Sequence, residues 1–236
     1  MEIATLLDII RLTTGAIILF YASYTDIKTR LASNYLWVIM GVIGGIILAI
    51  EFFTVGFTNP YYLIFVPIMI ILMYVLFQLR LIFGGADAKA IMAIAILVPF
   101  PIYNITFFET SIMPGSWQVF ANSVILFLLI PVSLLIFNIS KRNVEFPYAF
   151  LGYKMKVSKA REKFVWPLEK VVDGKRKFVY MPKEFDIEDE LDAFEKNNIK
   201  EIWVTPKIPF MIPLLFGFIF TFLIGDIMFT FMGLFM

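Results

Sequence analysis

Hydrophobic residues in this chain come in long blocks, not in the short alternations of a strand-based fold. Six apolar segments can be marked, at about 5–25, 35–53, 61–79, 88–107, 117–138 and 208–236. Several approach or exceed the roughly 18–20 residues that an α-helix needs to cross a bilayer, so the pattern predicts transmembrane helices. Pro99 and Pro101 are expected to break the far end of the fourth, and Pro131 to kink the fifth, because proline removes a backbone donor and clashes with the preceding turn. The polar stretch before the sixth has a different rhythm. "FVWPLEKVVDGKRKFVYMP" reads as a hairpin turning at Asp173-Gly174, "DIEDELDAFEKNN" as a helix and "EIWVTP" as a further strand.

The expected fold class is therefore an all-α polytopic membrane protein with six transmembrane helices and a small α+β cytoplasmic domain inserted before the last helix. The expected boundaries are 1–140 for helices one to five, 141–207 for the small domain and 208–236 for helix six. Composition agrees: 60% of the 236 residues are hydrophobic and 17% are charged, against about 45–50% and about 25% in ordinary soluble domains. A module of about 65 residues is marginal alone and is expected to brace on the membrane part.

The distribution of charge sets an orientation. Lys28 and Arg30 follow the first segment, Arg80 and Lys89 bracket the third loop, and Lys141 and Arg142 follow the fifth. The alternate loops "EFFTVGFTNP" and "NITFFETSIMPGS" carry no lysine or arginine, and only Arg11 lies on the other side. The positive-inside bias then predicts a multi-pass protein of the cell membrane with both termini outside and residues 141–207 in the cytoplasm. That region holds 15 of the 20 basic residues and 12 of the 19 acids. Such interleaving argues against a nucleic-acid surface. The N-terminus lacks the basic start of a secretory signal, and the first segment is expected to be retained.

The chain has no cysteine and no histidine. That excludes disulfides, thiolate and imidazole metal sites, cysteine nucleophiles and serine–histidine pairs. No P-loop or dinucleotide fingerprint is present, and no cofactor or metal is expected. Acids at membrane segments are costly unless solvated or paired, so each is a candidate functional group. Asp8 and Glu51 are assigned to the outer interface, Asp8 beside Arg11 and both within reach of headgroups or water. Asp226 lies about 18 residues beyond Lys207, roughly 27 Å along a helix, and is assigned a structural role bonded to another helix.

Asp26 and Asp87 differ from these. Asp26 ends segment one and Asp87 begins segment four, so both fall at the cytoplasmic face and antiparallel spans can bring them together. Two carboxylates within a few ångströms cannot both ionise readily and can share a proton. The charged one can take a proton from water while the other hydrogen-bonds a scissile carbonyl, which is aspartyl-protease chemistry. "FGGAD" places a permissive backbone just before Asp87, where a substrate chain must approach. Plainer readings stand beside this one: Asp87 as the N-cap of segment four, and Asp26 with Lys28 and Arg30 as a solvated loop.

"GGADAK" at 84–89 resembles the GxGD motif of intramembrane aspartyl proteases, and most closely the GxGDxK form of the type IV prepilin peptidases. "DIKTRLASN" at 26–34 resembles the region around their other aspartate, and the arrangement of spans and module is similar to the archaeal preflagellin (prearchaellin) peptidases. The resemblance implies Asp26 and Asp87 as the catalytic pair, with Gly84, Gly85 and Ala86 shaping the motif backbone. Ala86 stands where GxGD has its second glycine. Lys89 matches the basic position after the aspartate. The cysteine tetrad of many bacterial relatives is missing, so no metal site is carried over. The implied partners are precursors with a short basic leader and an apolar N-terminal helix, such as preflagellins and pilin-like proteins, cut at the cytoplasmic face.

Lys28, Arg30 and Lys89 are possible supporting residues by tuning the acids or contacting substrate; headgroup anchoring is the competing account. Tyr24 and Asn34 have the same standing, with packing and capping as the alternative. The acidic run 184–195 could attract a basic leader or be a solvated helix face. Two other functions fit the segments: a transporter or scaffold with intramembrane acids, which would place them near the midplane, and a GxGD protease acting on remnant signal peptides.

Overall fold

A computed structural model describes residues 3–79, 81, 84–102, 105–107, 112–172, 174–179 and 187–233. In chain order its helices are α1 (Ile3–Thr29), α2 (Asn34–Thr54), α3 (Phe65–Gln78), α4 (Gly85–Leu97), α5 (Gly115–Ser140), α6 (Tyr148–Leu151), α7 (Val157–Ala160), α8 (Glu188–Lys196), α9 (Met211–Leu223) and α10 (Ile227–Gly233). Its strands are β1 (Tyr153–Lys156), β2 (Val165–Pro167), β3 (Glu169–Val172), β4 (Lys175–Phe178) and β5 (Glu201–Pro206). The chain divides into two compact units. One comprises Met1–Phe127 with Pro209–Met236, the other Leu128–Ile208, the cut falling within α5.

The first unit is helical. Leu19, Met40, Met69, Met73, Ile91, Ile94, Phe218 and Phe222 are fully buried in its core. Its outer surface is also apolar: Ile17, Phe20, Val38, Phe53 and Ile71 are exposed on α1, α2 and α3. A surface of this kind is suited to lipid, where helices satisfy their own backbone. Four helical stretches among the described residues are long and apolar enough to cross a membrane: Ile3–Thr29, Asn34–Thr54, Pro60–Gln78 and Gly115–Ser140. The third gains its length from a 3-10 turn, Pro60–Ile64, leading into α3.

The fourth and sixth expected spans are shorter or broken. α4 has only 13 residues and ends at Leu97, just ahead of Pro99 and Pro101. It is clad by protein, with Ala88, Ala90, Ile91, Ala93, Ile94, Ala95 and Leu97 buried. Close packing needs small residues here: a Cβ at Gly44 of α2 would lie 2.8 Å from Leu97 Cα and 2.9 Å from its nitrogen.

The sixth segment bends by 50° between α9 and α10. Asn122 of α5 supplies bonds that the broken ladder lacks. Its amide donates to Gly225 O at 2.8 Å and Thr221 Oγ1 at 2.9 Å. Its oxygen accepts Ile227 N–H at 2.9 Å. Asp226 is buried at the bend and accepts Phe229 N–H at 3.1 Å, capping α10. Buried backbone groups freed by a break must be satisfied in this way.

The second unit is the α+β module. β5 is the centre of an antiparallel sheet of order β1-β5-β2. The expected strand "EIWVTP" is β5, and the expected acidic helix is α8. Leu191 and Phe194 of α8 are buried with Val165, Ile202 and Val204. The expected hairpin is divided: β3 and β4 pair with each other, whereas β2 joins the other sheet. Gly174 has φ +71, the left-handed geometry glycine tolerates; Asp173 lies outside the described residues, as do 184–186 of the acidic run. Arg161 pairs with Glu188, Asp192 and Glu195, so one arginine ties three acids of α8 to the module and offsets part of their charge.

Candidate active site

The first unit holds every residue that the sequence assigned to the site. Asp26 lies near the end of α1 and Asp87 in the first turn of α4. These helices touch, and the two carboxylates lie within electrostatic reach of each other. Each is partly exposed. Among the described residues, neither carboxylate takes part in a hydrogen bond or ion pair.

Asp87 is not the N-cap of α4. That position belongs to Gly84, in extended backbone at φ −87 and ψ 106, with Asp87 three residues on. Gly85, Ala86 and Asp87 are helical, and none has positive φ. The glycine at 84 matters through its size. A Cβ there would lie 2.0 Å from Asp87 Oδ2 and 2.7 Å from its carboxyl carbon. The carboxyl is folded back over the bare Cα, so its position depends on residue 84.

The end of α1 is set by Arg30. Its N–H donates to Asp26 O at 3.0 Å, and its φ of 57 turns the chain out of the helix. Arg30 also lies within electrostatic reach of Asp26. Lys28 is held elsewhere: its ammonium donates to Tyr24 Oη and lies 4.5 Å from that ring's centroid. Lys89, on α4, donates to Asn34 Oδ1 at 2.8 Å, at the first residue of α2. This bond joins the two sequence stretches "DIKTRLASN" and "GGADAK" across 55 positions.

At the far ends of the same helices lies a second polar group. Arg11 is buried, donates through Nε to Leu97 O at 3.1 Å and through Nη1 to Asp8 at 3.0 Å, and also pairs with Glu51. Asp8 lies beside Arg11 as expected, but it is buried and paired with Arg11 instead of being open to headgroups, whereas Glu51 is half-buried and pairs with Arg11 as well. The i,i+3 spacing of Asp8 and Arg11 could be read from the sequence. Glu51, 40 positions away, could not. A cavity of about 230 Å³ lies beside the group. Arg11–Leu97 at one end and Asn34–Lys89 at the other fix the register of α4 against α1 and α2. Among the described residues, no group of three acids could hold a metal ion.

Residues 13–136 match the model of the type IV leader peptidase family. The chain belongs to that family. Residues 144–227 match a second model, archaeal peptidase A24 C-terminus type II. Three curated relatives, each called preflagellin peptidase, are similar over most of the chain. The protein from Methanococcus voltae is 30% identical over 227 residues, covering 90% of this chain and 94% of the relative. That from Methanococcus maripaludis is 31% identical over 228 residues, with the same coverage. That from Methanocaldococcus jannaschii is 29% identical over 241 residues, covering 92% and 94%. The family is one of peptidases, and the helices of this chain that are long and apolar enough to cross a membrane suit a membrane location. The Asp26–Asp87 juxtaposition lies in two helices within the stretch matched by the leader-peptidase model.

Proposed function

We propose that the chain is an intramembrane aspartyl endopeptidase that removes the leader of preflagellin and pilin-like precursors, with Asp26 and Asp87 as its catalytic pair. The observation that supports this reading is the contact of α1 with α4, with the two carboxylates within electrostatic reach of each other. The relatives named preflagellin peptidase supply the substrate class.

In this mechanism one carboxylate is charged and takes a proton from a water molecule. The other, protonated, donates to the scissile carbonyl. The hydroxide adds to the carbonyl carbon, the C–N bond breaks, and the leaving amine receives a proton from the pair. Gly84 keeps the Asp87 carboxyl in its folded-back position. Lys89 and Asn34 position the starts of α4 and α2. Gly85 and Ala86 continue the small-residue surface along which a substrate backbone passes.

The topology that goes with this reading has six spans, α4 and the bent α9–α10 pair being the fourth and sixth. Both termini lie outside the cell, and the pair and residues 141–207 lie on the cytoplasmic side. The run of lysines and arginines in alternate loops supports it, and a basic leader held at the cytoplasmic face would meet the acids there.

The test is cleavage of a tagged precursor in membranes containing wild type, Asp26→Asn or Asp87→Asn. Both variants are expected to insert normally and to lose cleavage. Full activity in either one overturns the assignment.

A further inference from the structure

The β3–β4 hairpin carries a cationic face that no part of the proposed chemistry uses. Its register pairs Glu169 with Phe178, Lys170 with Lys177, Val171 with Arg176 and Val172 with Lys175. Opposed residues share a face, and the faces alternate along each strand. Glu169, Val171, Arg176 and Phe178 therefore form one side, and Lys170, Val172, Lys175 and Lys177 the other.

The first side is turned to the module. Glu169 is buried and accepts from Trp203 N–H at 3.2 Å and from Arg176 at 2.5 Å. Val171 packs against the module's core, and the Phe178 ring lies 5.1 Å from that of Tyr148. The second side is left outward. Lys170, Lys175 and Lys177 are exposed. Among the described residues none of them forms an ion pair. Lys170 and Lys177 are directly opposed, an arrangement of like charges that weakens a strand pair. The single arginine of β4 is the one used for internal pairing.

We propose that this lysine face docks on the anionic headgroups of the bilayer in which the flanking helices sit. Charge complementarity identifies the occupant. A basic leader would be repelled by the same face, whereas a lipid surface carries the opposite sign and attracts clustered lysines within a Debye length. Chain continuity brings it within reach, because the module is joined to apolar α5 at one end and apolar α9 at the other. Docking would hold the module at a constant attitude to the membrane at the cost of hairpin stability. The inference rests on the reading that those helices cross a bilayer.

The full chain has no cysteine, so a single Val172→Cys change on the lysine face accepts one fluorophore. The labelled protein is reconstituted in vesicles of phosphatidylcholine alone, or of phosphatidylcholine and phosphatidylglycerol in equal parts, each with a headgroup-attached quencher. Flotation reports insertion separately. Quenching is expected to be strong only in the anionic vesicles, to fall at high salt, and to be lost when Lys170, Lys175 and Lys177 are all changed to Gln. By the attraction of about fivefold per lysine near such a surface, the triple change shifts docking by about a hundredfold. A control label at Asp189→Cys on α8 is expected to stay unquenched. Equal quenching in both vesicle types, or quenching that survives the triple change, overturns the proposal. Failure to float with either vesicle overturns the bilayer reading and the proposal together.

Discussion

Asp87 Oδ2 lies 2.0 Å from the point where a Cβ on Gly84 would stand. The atom in the way is the end of a rotatable side chain, not backbone. Gly84→Ala is therefore accommodated by swinging the carboxyl aside. On the proposed mechanism, the expected outcome is a protein of nearly unchanged melting temperature whose cleavage falls by about a hundredfold, the scale of an ångström-sized misplacement of a reacting group. Thermal unfolding in detergent and a precursor assay, run on the same preparation, check both halves.

Gly44 gives the opposite result. Its missing Cβ is opposed by the backbone of Leu97, at 2.8 Å and 2.9 Å, and backbone in a packed helix pair cannot rotate away. Gly44→Ala is expected to force α2 and α4 apart and to cost about 1–3 kcal/mol, as overpacking does. A lower melting temperature, together with faster hydrogen exchange in α4, is the readout.

Arg11 is buried between Asp8 and Glu51 and also holds the last carbonyl of α4. Arg11→Met takes the shared cation from buried Asp8 and half-buried Glu51, and the expected loss is about 1–3 kcal/mol. Replacing the set together, as Asp8→Leu, Arg11→Met and Glu51→Leu, removes both charges and is expected to recover most of that loss. Chemical or thermal unfolding of the single and triple variants in detergent distinguishes these outcomes.

In the module, Lys154 and Trp203 bond the Glu145 carboxylate, and Arg161 bonds that of Asp192; these contacts hold both acids below their ordinary range. A depressed carboxylate contributes stability that is complete above its unfolded value and is lost as pH falls through its folded one. The module is therefore expected to loosen on acidification from the ordinary carboxylate range downward and to be insensitive near neutrality. Hydrogen-exchange protection of β5 amides against pH checks this. Glu145→Gln and Asp192→Asn should flatten the profile.

Much of the fold was legible in residue type alone, because long apolar blocks and tight-turn chemistry act locally. The runs that became α1, α2, α3 and α5, the strand β5 and the helix α8 all follow from it. So does the break after Leu97, where two prolines lie close ahead. The candidate acids could be named because the chain has no histidine or cysteine and because each acid ends or begins an apolar run.

What the sequence determined by itself was thus the apolar blocks, the small polar module and the two acids, Asp26 and Asp87, that border apolar runs. Only the tertiary structure decided which groups meet. It brought Glu51 to Arg11, joined Asn34 to Lys89, passed the broken ladder at Gly225 to Asn122, and paired β2 with β5. Those contacts bridge tens of residues, and pairing at such separations is fixed by packing and by the need to satisfy buried polar groups, neither of which leaves a local trace in the order of the amino acids.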